Sequence, residues 1–183
     1  MLELKIPEID ELWDEKNQCF EHVKAQTIQM EHSLIAISKW EAKWHISFLE
    51  QVRRELLTNE QLMDYIRCMT ITHNVDDIVF RSLQAPQIKQ ITDYIDDPAT
   101  ATTFSNENQA PNFEILTSEI IYWEMIALGI WKECEKWNIN RLVTLIHVCN
   151  NKNKKAQPMP VNKIQSQNAM VNALRRKRYH TRG

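Results

Sequence analysis

The residues with the most pointed chemistry are cations near the end of the chain. Arg175, Arg176, Lys177 and Arg178 run consecutively, with Tyr179, His180 and Arg182 close behind and Lys154 and Lys155 upstream. Four adjacent cations can meet phosphates or a carboxylate-rich groove, since guanidinium groups pair with either anion through two parallel hydrogen bonds. Cations also suit a helix C-terminus, where unpaired carbonyls favour positive charge, so the same run has a purely structural reading. Arg175, Arg176, Lys177, Arg178, Arg182, Lys154 and Lys155 are the candidate partner-binding residues.

Other chemistries find little footing. Gly129 and Gly183 are the two glycines of the chain. Neither a P-loop nor a dinucleotide-binding turn can be built without closely spaced glycines. The histidines, His22, His32, His45, His73, His147 and His180, include no His-Glu-x-x-His pair, and His147 and Cys149 point to different faces of a helix. No strand-turn-helix nucleophile elbow surrounds any Ser or Cys. Asp76-Asp77 and Asp96-Asp97 are adjacent carboxylates of the kind that cap helices, and no third ligand stands near them. The expectation is a protein with no catalytic residue, no metal and no cofactor.

Charge divides the chain. Residues 1–135 hold all 24 acidic residues and 11 basic ones, a net of -13, while residues 136–183 hold 11 basic residues and no acidic one. Such asymmetry marks an interaction tail whose partner is a nucleic acid or an acidic protein surface, including the acidic body of another copy; a solvated tail that aids solubility is the plainer alternative. No run of about 18 apolar residues occurs, and the acidic start lacks the basic, then apolar, pattern of a secretory signal. Neither secretion nor membrane spanning is expected. Cys19, Cys68, Cys134 and Cys149 are scattered and read as reduced, buried thiols of a cytosolic protein.

These residues need a scaffold, and 183 residues with 43% hydrophobic side chains suffice for one core. Leu2, Leu4 and Ile6 alternate with polar residues before Pro7, and Asp14–Asn17 reads as a turn, so a small N-terminal β-hairpin or meander is expected. Residues 27–34 alternate again as a third strand. From Ile37 through Trp40 and Trp44 to Phe48 the spacing becomes three and four, predicting a first helix. Thr58 and Gln61 form a capping-box pattern ahead of a helix over 59–69. Asn74 or Asp76 can cap a short turn through Leu83, and Pro86 opens a short helix that stops before Pro98. Residues 97–113 read as a long surface loop. Thr117 or Ser118 caps a helix that is apolar nearly all round and ends at Gly129, expected to be the most buried of all. Further helices cover roughly 130–137 and 139–149. Trp40 with Trp44, and more loosely Trp123, Trp131 and Trp137, are spaced as core stripes are, a Trp protruding at a partner interface being the alternative.

The predicted class is mainly α with a small N-terminal β-hairpin or meander (α+β), a compact helical domain plus a basic C-terminal helical extension. Its divisions are a β segment over 1–35, a helical domain over 36–150, a proline-punctuated linker over 151–160 and a basic helix or tail over 161–183, which orders fully only against a partner.

Several whole stretches resemble a known group. Glu31-His-Ser-Leu-Ile-Ala-Ile-Ser-Lys-Trp-Glu-Ala-Lys-Trp44, Asp64-Tyr-Ile-Arg-Cys-Met69, Thr100-Ala-Thr-Thr-Phe104, Thr117-Ser-Glu-Ile-Ile-Tyr122, Lys136-Trp-Asn-Ile-Asn-Arg-Leu142 and the ending 175–183 resemble small proteins encoded in tailed-bacteriophage structural gene clusters. The likeness runs from about residue 28 to the end, and it is closest in kind to tail assembly chaperones of long-tailed phages. It implies a protein of the host cytoplasm that binds the tape measure protein, keeps it soluble and helps tail tube subunits polymerise around it, with a longer frameshifted form allowed. No site residue follows from the resemblance, because it rests on segments and not on a catalytic signature. The alternatives are a structural virion subunit (head-tail connector, tail or baseplate component) and a nucleic-acid-binding protein that uses the basic tail.

Overall fold

The computed structural model describes residues 1–14, 18–103, 115–153 and 161–179. It is mainly helical with a small β region at the N-terminus, as the alternation and periodicity predict. The strands are β1 (Leu2–Ile6), β2 (Ile9–Asp14), β3 (Cys19–Val23) and β4 (Gln26–Met30). Their pairing is nested: β1 pairs antiparallel with β4, and β2 with β3, in two separate two-stranded sheets. The small N-terminal hairpin expected is β2 with β3, and β1 with β4 encloses it, so the four strands nest where a meander would pair each with the next. Pro7 follows β1 and cannot donate to a continuing ladder. Pairing β1 with β4 instead sets Leu4 opposite Ile28 and joins two apolar rows on one buried face. The strand expected over 27–34 stops at Met30, and Ser33 becomes an N-cap, although Ile28, Met30, His32 and Leu34 are all buried as their alternation requires. Of the turn expected at Asp14–Asn17, residues 15–17 lie outside the described residues.

The single helix expected from Ile37 through Phe48 is two. The first, α1 (Leu34–Trp44), ends where His45 turns left-handed at φ 57°, and Ser47 starts α2 (Phe48–Arg53) by accepting from Glu50 N. Glu41 fixes this break, because its carboxylate accepts from Phe48 N at 2.9 Å and from Ser118 N at 2.7 Å, satisfying the free amides at the starts of two helices. Next comes α3 (Asn59–Met69) with the anticipated capping box: Thr58 Oγ1 accepts from Gln61 N, and Gln61 Oε1 accepts from Thr58 N. Asp76 caps α4 (Asp77–Arg81), and Pro86 lies in the first turn of α5 (Ala85–Asp96).

The long loop expected after α5 is irregular over 97–103, and 104–114 lie outside the described residues. Then come α6 (Ser118–Ala127), a 3-10 helix over Lys132–Lys136 and α7 (Ile139–Asn153). The core joins the β1/β4 face to these helices around Trp40, Tyr65 and Phe48, with Phe48 stacked on Tyr65 at 3.7 Å and Trp40 edge-on to Phe48 at 5.1 Å. Trp40 Nε1–H donates to Gln61 O, so its polar end is also met.

The chain forms two compact units, Met1–Asn150 and Asn151–Gly183. The second contains α8 (Val161–Tyr179). Among the described residues, no helix is long and apolar enough to cross a membrane. The cysteines are all free, but only Cys134 is buried; Cys68 and Cys149 are half-buried and Cys19 is exposed, which corrects the expectation of four buried thiols.

Candidate partner-binding site

Helix α8 runs 19 residues without Gly, Pro or any Asp or Glu, and is rich in Gln, Ala, Leu, Arg and Lys, which lose little freedom in a helix. Its last turn carries Arg176, Lys177 and Arg178, where the helix dipole favours cations. Consecutive residues turn by about 100° each, so Arg175–Arg178 spread positive charge around the whole circumference. The apolar side chains Met170, Val171 and Leu174 lie in the turn before them, and all are exposed. Every side chain described on α8 is exposed. Arg178 lies over the Tyr179 ring, 5.8 Å from its centroid. Of the predicted residues, Arg175, Arg176, Lys177 and Arg178 are thus on one helix end, while Lys154, Lys155 and Arg182 lie outside the described residues. Chemically, the helix offers a short apolar stripe beside a cationic collar.

A second surface lies where the sequence reading preferred a core stripe, and exposed tryptophans, which that reading held only as its alternative, correct it at Trp123 and Trp131. Helix α6 buries Ser118, Ile121 and Met125, but Trp123 is 67% exposed and Ile126 79%. The expectation that this helix is the most buried is corrected. The chain then turns through Gly129 at φ 66°, where Gly129 N–H reaches Ile126 O at 3.2 Å and Ile130 N–H reaches Met125 O at 2.8 Å. This is a Schellman ending, and the left-handed residue favours glycine. It leads directly to Trp131, 78% exposed at the start of the 3-10 helix. Trp137, by contrast, is half-buried beneath the guanidinium of Arg141, 4.4 Å from its ring. Glu119, Glu124, Glu133 and Glu135 border this tryptophan face along the chain.

Elsewhere the titratable groups are engaged structurally. His32 is buried, and burial lowers its pKa from 6.5 to about 4, keeping the imidazole neutral. Burial drives the Tyr65 hydroxyl far the other way, so its O–H stays protonated, and it is hydrogen-bonded with His32 Nδ1 at 2.5 Å. Burial likewise raises the Cys68 and Cys134 thiols, away from the thiolate form that nucleophiles need. Asp14 is paired with Arg81 at 2.6 Å, and Arg81 and Arg67 both reach Asp77. Partial burial tends to raise the Asp77 carboxyl, but hydrogen bonds from Arg67 and then Arg81 outweigh it and hold it low. An open groove of about 420 Å³ runs past Ser33, Lys39, Cys68, Thr72, His73 and Lys136. On the β2/β3 hairpin, ligand atoms of Glu8, Asp10 and His22 lie within 4.8 Å of one another, all exposed. The His22 Nε2 to Glu8 Oε1 contact is 3.0 Å and lies open to solvent. Only the i, i+2 spacing of Glu8 and Asp10 in the sequence hints at this cluster.

No protein-family model, curated protein or solved structure matches this chain.

Proposed function

We propose that this chain works by reversible contact and not by chemistry, as a tail assembly chaperone that binds a tape measure protein and keeps it soluble while tail tube subunits assemble around it. The cargo and the host cytoplasm as its place of action come from the resemblance of the segments quoted above. The observation that carries the reading is α8: a helix with exposed Met170, Val171 and Leu174 beside a collar of Arg175–Arg178 and no acidic residue. Such a helix lays its apolar stripe along a helical partner, while its cations speed encounter and keep the contact sensitive to salt. Long helical cargo exposes apolar surface before it is enclosed, and a removable cover of this kind prevents its aggregation.

The test is co-expression of the full chain with a tape measure protein of a long-tailed phage. The cargo stays in the soluble fraction with the intact chain and precipitates with a chain carrying Met170→Ser, Val171→Ser and Leu174→Ser. Cargo that aggregates beside the intact chain, or stays soluble with the substituted one, contradicts the reading. The Arg175–Arg178 collar with Tyr179 also favours a second reading, binding to nucleic acid. That reading requires affinity for duplex DNA to fall with a log–log salt slope of about -3 to -4, as four phosphate contacts dictate.

A further inference from the structure

We infer that the exposed tryptophan face formed by α6 and the turn after it is the docking surface for α8 of a second copy of this chain, which joins molecules head to tail. The face is exposed although strongly apolar. On α6, Glu119, Trp123, Ile126 and Ala127 follow the i, i+4, i+7, i+8 spacing of one helical stripe and all are exposed, and Trp131 is exposed just beyond the turn at Gly129. Exposed Trp and Ile grouped on one side of a helix and rimmed by charge are the composition of an interaction site and not of scattered surface residues. Over residues 119–127 the helical stripe is about 12 Å long, and the α8 stripe with its collar, 170–179, is about 14 Å.

The occupant follows from charge. Along residues 119–136, the stretch that carries the face, Glu119, Glu124, Glu133 and Glu135 outnumber Lys132 and Lys136, and residues 1–135 as a whole carry -13. Helix α8 brings Arg175, Arg176, Lys177 and Arg178 with no acid. The match is therefore apolar stripe to apolar stripe and cationic collar to acidic rim, with guanidinium groups able to lie on the Trp123 and Trp131 rings. Both halves of the match are present on every copy, and neither can pair with itself, because two α8 helices repel and two acidic rims repel. A surface and a counter-surface on one chain give a heterologous, head-to-tail contact and not a symmetric dimer. The inference goes beyond the cargo reading, since it concerns what covers both surfaces when no cargo is present. Substituting the tryptophan face leaves α8 intact, so the two readings fail separately.

The experiment is sedimentation velocity on the nuclease-treated full chain over a range of concentrations, with two variants. One carries Trp123→Glu and Trp131→Glu; the other carries Arg175→Glu, Arg176→Glu, Lys177→Glu and Arg178→Glu. The unsubstituted chain forms assemblies that grow with concentration and dissociate as salt rises from 50 to 300 mM. Each variant alone is monomeric. Their equimolar mixture forms a one-to-one dimer, because one supplies an intact helix and the other an intact face. Circular dichroism and the melting temperature report whether each variant folds, and Ile126→Glu at the most exposed position, with an association constant at least tenfold weaker, replaces the double tryptophan variant if that one does not. An unsubstituted chain that is monomeric throughout, including one whose α8 docks on its own body, overturns the inference. So does a mixture that stays monomeric, or an assembly that persists in either variant.

Discussion

Helices α1 and α8 are both rich in apolar and cationic residues, yet they do opposite work. In α1, Leu34, Ile37 and Trp40 are buried and Glu41 is hydrogen-bonded to the starts of two other helices, so each turn is fixed by something outside the helix. In α8, every described side chain is exposed. Periodic apolar residues make a helix stable only when something covers them, and isolated helices of this length are marginal in water. The difference teaches that the packed unit carries the folding free energy, while α8 leaves the side chains described on it open to solvent, which is the surface the proposed contacts use.

The comparison can be broken most forcefully at Trp40. Trp40→Ala removes a fully buried ring and its bond to Gln61 O, and destabilises the packed unit by about 4 kcal/mol in urea unfolding. A loss under about 1 kcal/mol contradicts a core centred there.

Next in size is a pH effect from His32. Its folded pKa, about 4, lies below the unfolded 6.5, so on acidification the unfolded chain takes up a proton before the folded one does. Stability from this group is complete above pH 6.5, falls as pH drops through the window and levels off below about 4, a total of about 3 kcal/mol. Urea midpoints measured across that window show this slope in the unsubstituted chain and lose it in His32→Gln.

Glu41→Gln comes third. It keeps one acceptor oxygen but sets an amide N–H2 against one of two buried backbone N–H groups, at a cost of about 2 kcal/mol. Chemical denaturation reads the loss, and an unchanged midpoint means the carboxylate is not what separates α1 from α2.

The smallest stability effect belongs to α8. Leu174→Ser changes the unfolding free energy of the packed unit by less than about 0.5 kcal/mol, yet it weakens cargo binding at least tenfold. Removing residues 156–183 abolishes binding and leaves the far-ultraviolet spectrum and melting temperature of the body in place. Binding that survives the truncation removes α8 from the account.

What the residues reveal in advance depends on whether their signal is local. The Thr58–Gln61 box, Asp76, Pro86 and Gly129 act on neighbouring backbone, and each does in the structure what its type and spacing predict. The α1/α2 break has a local signal too, Ser47 with Glu50 three residues on, but the steady 3-4 spacing from Ile37 to Phe48 masks it. Glu50 moreover turns to Arg53 and Arg54 and does not close the box, and their hydrogen bonds, Arg53 first, hold its carboxyl low. The nested strand pairing is not local at all, since Leu4 finds Ile28 only once the intervening hairpin has folded back. The tryptophan face is illegible for a different reason. An α6 that is apolar on every side has no polar stripe to tell which side meets water, so Trp123 and Met125 look alike until the fold buries one and exposes the other. The cationic collar is legible because charge needs no partner to be counted.

The most direct test of the central claim, that this chain acts on assembly without belonging to the product, is quantitative mass spectrometry of purified phage particles beside the lysate that yielded them. The account predicts a chain abundant in the lysate and missing from the particles. A fixed number of copies in every particle contradicts it and makes the chain a structural subunit.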